Sequence, residues 1–129
     1  MSKPTILLAD DHPGVFETVA QILEPTFEII GRSDTGQALL EAVAKLNPDV
    51  VVADISMPVL NGIEAANKLK QFGSTCRFVF LTVHDHPDFI EACLASGALG
   101  YVSKPRMACD LVPAIREALK GRTFVSPNS

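Results

Sequence analysis

The chain has 129 residues, inside the usual span of one domain, about 100–200 residues, so two full domains do not fit. Hydrophobic residues make up 47% and charged residues 20%, which supplies a sizeable core and excludes an intrinsically disordered or collagen-like chain. Eleven Lys and Arg against fifteen Asp and Glu leave a net charge of −4, the wrong sign for a duplex-binding surface, so this stretch itself is not expected to bind DNA.

Short aliphatic and β-branched runs alternate with longer segments of helical period, the pattern of repeated βα units around a parallel sheet. The first strand is Thr5-Ile6-Leu7-Leu8-Ala9. The next segment places Val15, Phe16, Val19, Ile22 and Leu23 on one helix face. Pro13 suits its first turn and Pro25 ends it. A second strand is predicted near Phe27-Glu28-Ile29-Ile30, followed by a helix that starts around Asp34 or Thr35. That helix buries Ala38, Leu39, Ala42, Val43 and Leu46 before Asn47-Pro48 stops it. The third strand, Val50-Val51-Val52-Ala53, is apolar throughout, as expected of a central strand covered by helices on both faces. After the loop from Asp54 to Gly62, Asn61 with Glu64 three residues on reads as a capping-box variant for a helix over about 62–71.

The fourth strand is Phe78-Val79-Phe80-Leu81. The fourth helix has Pro87 near its start and Gly97 at its end. The fifth strand is the short Gly100-Tyr101-Val102. The last helix carries Leu111, Ile115, Ala118 and Leu119 on one face and stops at Gly121. Its start is open: with Asp110 as N-cap, Pro113 lies harmlessly in the first turn, whereas a start near Met107 makes Pro113 a distortion. The three cysteines, Cys76, Cys93 and Cys109, are odd in number and form no CxxC pair, which suits reduced thiols. The N-terminus shows neither a basic region nor a cleavage site, and no apolar run approaches a membrane span, so a cytoplasmic location with no membrane partner is expected.

Parallel α/β sheets place functional loops at the carboxyl ends of their strands. Asp10-Asp11-His12 follows the first strand, Asp54 the third, Thr82 the fourth and Lys104 the fifth. Each alone has an ordinary explanation: an Asp after a strand is often an N-cap, and a Lys before a Pro is usually an exposed turn residue. Together they gather three carboxylates, a hydroxyl and an ammonium on one edge. Grouped carboxylates repel one another, so something must bring positive charge. A hard divalent ion such as Mg²⁺ takes carboxylate, phosphate and water oxygens. With a metal and Lys104 beside it, one Asp can attack phosphorus and form an acyl phosphate whose oxygens those cations neutralise. Asp54 is the candidate nucleophile because it stands alone after the most buried strand. Asp10 and Asp11 would hold the metal, and Thr82 would donate a hydrogen bond to a phosphoryl oxygen.

The set Asp10-Asp11, Asp54 with Met57-Pro58 and Gly62, Thr82, Tyr101 and Lys104-Pro105 resembles the receiver (phosphoacceptor) domain of bacterial two-component response regulators over nearly the whole chain. The resemblance implies a flavodoxin-like α/β fold, (βα)5, with a five-stranded parallel sheet of order 2-1-3-4-5. It implies Asp54 as phosphoacceptor, with Lys104 and Thr82 assisting. It implies Mg²⁺ on Asp11, Asp54 and the backbone carbonyl of Ser56, Asp10 acting through water, and a cis Lys104-Pro105 bond. Asp11-His12-Pro13, Gly100-Tyr101-Val102-Ser103-Lys104 and the ending Gly121-Arg122-Thr123-Phe124-Val125-Ser126-Pro127 look like the LuxR/NarL-type transcriptional regulators. Glu17 departs from that subgroup, where a basic residue is common in the first helix, and this leaves surface pairing open.

The expectation is therefore one receiver domain over 1–129, its core at about 4–121 and 122–129 beginning a linker to an output domain absent from this chain. It would be a phosphorylation-activated switch rather than an enzyme, assisting only its own phosphorylation and dephosphorylation. Its partners would be a sensor histidine kinase, DNA only through the absent C-terminal helix-turn-helix domain, and, allowed but not required, a second copy in a homodimer. Thr82 and Tyr101 are the candidate switch residues, because the shortness of the fifth strand suggests an edge where the ring points inward or outward. A freestanding receiver acting by protein contacts is the alternative output. A metal-dependent phosphoesterase using Asp10-Asp11-His12 and His84-Asp85-His86 competes from another class, but leaves Lys104 and Asp54 without a role. A haloacid-dehalogenase-type phosphatase would want a second Asp where Ser56 stands. A nucleotide or flavin module would want a glycine loop after the first strand.

Overall fold

Among the described residues the alternating pattern folds as β1 (Thr5–Ala9), α1 (Val15–Leu23), β2 (Glu28–Ser33), α2 (Gly36–Leu46), β3 (Val50–Ala53), α3 (Gly62–Gln71), β4 (Arg77–Thr82), α4 (Pro87–Ala95), β5 (Gly100–Ser103), α5 (Met107–Leu119) and β6 (Phe124–Val125). The computed structural model describes residues 3–12, 14–54, 62–71, 73, 76–83 and 87–126. The predicted contributions of Pro13, Asn61, His84 and His86 lie outside them.

The strands form one parallel sheet, β2-β1-β3-β4-β5-β6. The expected order 2-1-3-4-5 holds and β3 is central, with every residue buried. Period-two alternation splits the core. Leu7, Val51, Phe78, Phe80 and Tyr101 face α2, α3 and α4 through Leu39, Ala66, Leu69 and Cys93. Ile6, Leu8, Val52, Val79, Leu81 and Val102 face α1 and α5 through Val19, Leu23, Leu111 and Ile115. Burying each such aliphatic side chain contributes about 1.5–3 kcal/mol, so two full layers outweigh any local propensity. Close approach of β4 and β5 requires glycine at 100, where a Cβ would stand 2.9 Å from both γ-carbons of Val79.

Local signals act as the sequence suggests at several ends. The Thr35 hydroxyl caps α2, accepting from the Ala38 N–H at 3.0 Å. Asn47 closes that helix in the left-handed region at φ 48°, and Gly97, at φ 92°, follows α4. Elsewhere the structure differs. β2 runs on to Ser33, and Thr82 is the last residue of β4 rather than the first after it.

Two expectations are corrected, and a third point, left open by the sequence, is settled. The segment assigned to a linker supplies β6, which pairs Phe124 and Val125 with Gly100 and Tyr101. The Phe124 N–H donates to Leu99 O and the Ser126 N–H to Tyr101 O, both at 2.8 Å, so β5 is not the sheet edge. Its outer carbonyls would otherwise lack partners. Second, the Lys104–Pro105 bond is trans. After extended Ser103, residues Lys104–Arg106 wind into a 3-10 turn with Pro105 near its start, where a fixed φ and a missing N–H are tolerated. Third, α5 begins at Met107 and runs through Pro113, which denies the Cys109 carbonyl its helical partner. Cys109 and Pro113 are both exposed, so solvent can serve that carbonyl.

Candidate functional site

Strand registers build the site. β1 and β3 pair Ala9 with Ala53, so residues 10 and 54 leave the sheet side by side. The Asp54 N–H donates to Ala9 O at 2.8 Å and the Asp10 N–H to Ser33 O at 2.9 Å, which carries the ladder one residue past the strand ends and holds both aspartates. β4 and β5 pair Thr82 with Ser103. Lys104, the next residue, thereby arrives at the same edge.

Asp10 and Asp54 are buried, at 2% and 3% exposure, while Asp11 is exposed. The Lys104 ammonium stands 3.3 Å from Asp54 Oδ2, to which it donates, and 3.2 Å from Asp10 Oδ2. His12 folds back over the group. Its backbone N–H donates to Asp10 Oδ1 at 2.8 Å, and its Nδ1 lies 2.7 Å from Asp10 Oδ1, 3.2 Å from Asp54 Oδ2 and 3.3 Å from Asp11 Oδ1. One ligand atom from each of Asp10, Asp11, His12 and Asp54 lies within 4.8 Å of the others.

These residues fit a divalent cation. The buried Asp10 Oδ2 accepts no hydrogen bond among the described residues, and Lys104 faces it without hydrogen-bond alignment. A buried anionic oxygen left so is costly, and a hard ion with oxygen ligands relieves it. Three carboxylates against one ammonium also leave an excess of negative charge at close range, which a divalent ion offsets.

The structure thus brings together Asp10, Asp11, Asp54 and Lys104. Thr82 is fully buried at the end of β4; Ser56 lies outside the described residues. Tyr101 departs from expectation: with β6 beyond it, it sits inside the sheet, 2% exposed, among the residues facing α4. Thr82 and Tyr101 have the same strand parity, since Phe80 pairs with Tyr101, so both face that side.

Two features escaped sequence reasoning. His12 enters the sequence reading only as part of the phosphoesterase alternative; its place on the receiver's cluster, where its N–H turns back onto Asp10, is what that reading misses. The other is a network past β5: Arg106 Nε donates to Asp110 Oδ2 at 2.8 Å, the Ser126 hydroxyl donates to the same oxygen at 2.8 Å, and the Ser103 N–H donates to Ser126 Oγ at 3.1 Å. The Arg106 hydrogen bond holds the Asp110 carboxyl below the usual carboxylate range, against the opposing effect of burial and with help from Ser126. Cys93 and Cys109 are free thiols; burial pushes the Cys93 thiol up to about 12, leaving it a core residue.

A sequence profile of the response regulator receiver domain matches residues 6–116. The chain belongs to this family. The match favours the receiver reading over the phosphoesterase and nucleotide-module alternatives. The receiver domain is 35% identical over 128 residues to the transcriptional regulatory protein DegU of Brevibacillus brevis, covering 98% of this chain and 54% of that protein. It is 33% identical over 124 residues to the nitrate/nitrite response regulator NarL of Escherichia coli K12, covering 95% and 57%. The chain therefore spans little more than half the length of the curated relatives it matches. Among solved structures it superposes with a TM-score of 0.92 on a LuxR-family two-component response regulator from Aurantimonas sp. SI85-9A1, at 32% identity over 98% of this chain and 91% of that one. The non-phosphorylated receiver domain of RcsB from Escherichia coli gives 0.88 at 27% identity, covering 98% and 100%. No described helix is long and apolar enough to cross a membrane.

Proposed function

We propose that this receiver domain accepts a phosphoryl group on Asp54 from a sensor histidine kinase, with Mg²⁺ in the acidic cluster, and passes the change to a transcriptional output. The observation that carries the reading is the pairing of Ala9 with Ala53, which sets the Asp54 carboxylate beside Asp10 and 3.3 Å from the Lys104 ammonium. Asp11, Asp54 and the Ser56 carbonyl would hold the ion, with Asp10 acting through water. Bound Mg²⁺ would supply the positive charge that lets an anionic phosphodonor approach carboxylates.

The chain's own groups do the rest. An Asp54 carboxylate oxygen attacks phosphorus as the bond to the donor nitrogen breaks, giving an acyl phosphate and the free donor imidazole. Lys104 moves its ammonium from the Asp54 carboxylate to a phosphoryl oxygen, and the Thr82 hydroxyl donates to another. Thr82 and Tyr101 share a face of neighbouring strands, so drawing the hydroxyl toward phosphate vacates space on the side where the Tyr101 ring packs. The ring and α4 are the elements that shift. The domain assists its own phosphorylation and dephosphorylation without acting on an external substrate. In the cytoplasm, DNA contact would come through a helix-turn-helix domain beyond this chain, and homodimerisation is one route by which the shifted surface would act.

Intact-mass measurement after incubation with a small phosphodonor and Mg²⁺ tests the reading. One added phosphoryl group is expected on the wild type and none on Asp54→Asn, which keeps the shape but lacks the nucleophile. Uptake by that variant at the wild-type rate and on the same tryptic peptide would overturn the assignment.

A further inference from the structure

The cation site proposed above has one neighbour that plays no part in that reading. Nδ1 of His12 touches one oxygen from each of three carboxylates, at 2.7 Å from Asp10, 3.2 Å from Asp54 and 3.3 Å from Asp11. Neighbouring ligand atoms around an octahedral ion with bonds of about 2.1 Å are separated by that length times √2, or about 3 Å. The separations from Asp54 and Asp11, the two carboxylates that would hold the ion directly, lie close to this value, and their ligand atoms and Nδ1 are near enough together to share one ion, while the shorter contact with Asp10 is a hydrogen bond.

We propose that His12 is a nitrogen ligand of the divalent-cation site and makes it favour a first-row transition ion over Mg²⁺. The inference rests on the site reading above. Mg²⁺ is hard, holds its waters and gains little from an imidazole, whereas nitrogen ligands suit Ni²⁺, Zn²⁺ and Cu²⁺. Carboxylates alone discriminate less between these ions.

The placement of the residue suits the role. The His12 side chain is 55% exposed, so the ring adjusts without disturbing the core. Its backbone is meanwhile tied to Asp10 Oδ1 through the N–H. Lys104 Nζ stands 3.4 Å from Nδ1 and also contacts Asp10 and Asp54, so an ion entering the cluster takes over part of the neutralisation that the ammonium now provides. The opposite role, in which the ring fills the ion's place and holds it out, requires the opposite effect of removing it.

Calorimetric titration of the 129-residue chain with Ni²⁺ and with Mg²⁺ decides the matter, using wild type, His12→Ala, His12→Gln and Asp54→Asn. Asp54→Asn is expected to weaken both ions. Losing a ligand nitrogen is expected to weaken Ni²⁺ about tenfold or more in His12→Ala and His12→Gln while Mg²⁺ stays within about twofold, collapsing the preference. If Asp54→Asn weakens both ions but His12→Ala keeps the Ni²⁺-to-Mg²⁺ ratio or tightens Ni²⁺, the ligand role of His12 falls and the site stands. If Asp54→Asn leaves both affinities unchanged, the site reading falls and this inference with it.

Discussion

Replacing Ser126 by Ala removes a single oxygen, yet that oxygen joins three parts of the chain. The hydroxyl donates to Asp110 on α5 and accepts from the N–H of Ser103, the residue before Lys104, while the Ser126 backbone extends the pairing of β6 with β5. A hydrogen bond to a charged acceptor is worth about 1.5–3 kcal/mol, and an orphaned backbone donor costs about 1–3 kcal/mol. Both contributions are discounted here. Ser103 is only half-buried, so water reaches its N–H, and Asp110 keeps Arg106. The expected loss is therefore about 2–3 kcal/mol, the low end of the combined range. For a domain of this length each kcal/mol moves the melting temperature by roughly 3–4 °C, so a fall of about 6–12 °C is expected. Urea denaturation of the metal-free protein, followed by far-ultraviolet circular dichroism, gives the free energy, and the slope with urea should stay unchanged. A double-mutant cycle with Asp110→Ala isolates the pair and should return a coupling of about 1 kcal/mol or more. A Ser126→Ala variant within about 0.5 kcal/mol of wild type, or strict additivity in the cycle, would refute the view that this hydroxyl ties the sixth strand to the domain.

Two further predictions concern acid stability and signal transfer. Asp110 has its folded pKa lowered by Arg106, so its contribution is complete above the unfolded value near pH 4 and is lost as pH falls through the lowered folded value. The stability gap between wild type and Arg106→Gln should stay constant above about pH 5 and close below about pH 4; urea melts across pH check this, and a constant gap down to pH 3 would exclude Asp110 as its source. Tyr101 is the single tyrosine and there is no tryptophan, so its fluorescence should change when a phosphoryl mimic is added with Mg²⁺, and the change should be absent in Thr82→Ala. An unaltered signal in a demonstrably phosphorylated sample would remove Tyr101 from the relay and leave α4.

The fold class and most of the site were legible in the amino-acid order because their signals are local or periodic. The unbroken apolar run Val50–Ala53 identifies a strand buried on both faces, and the Pro and Gly positions mark helix ends. Asp10, Asp54 and Lys104 each follow an apolar run, and a parallel sheet brings such positions to one edge. What needed the tertiary structure are features whose cause lies far along the chain. Two residues are too few to carry a period, and β6 exists because the outer side of β5 offers backbone groups that must be paired. Tyr101 is interior for the same reason. Pro105 is trans, the intrinsically favoured isomer of an X–Pro bond, and stands near the start of the 3-10 turn leading into α5. His12 lies on the cluster because Asp10 draws its backbone N–H and because Asp54, forty-two positions away in sequence, comes to stand beside Asp10. Neighbours that only folding assembles set the direction of that ring, and a sequence pattern carries no record of them.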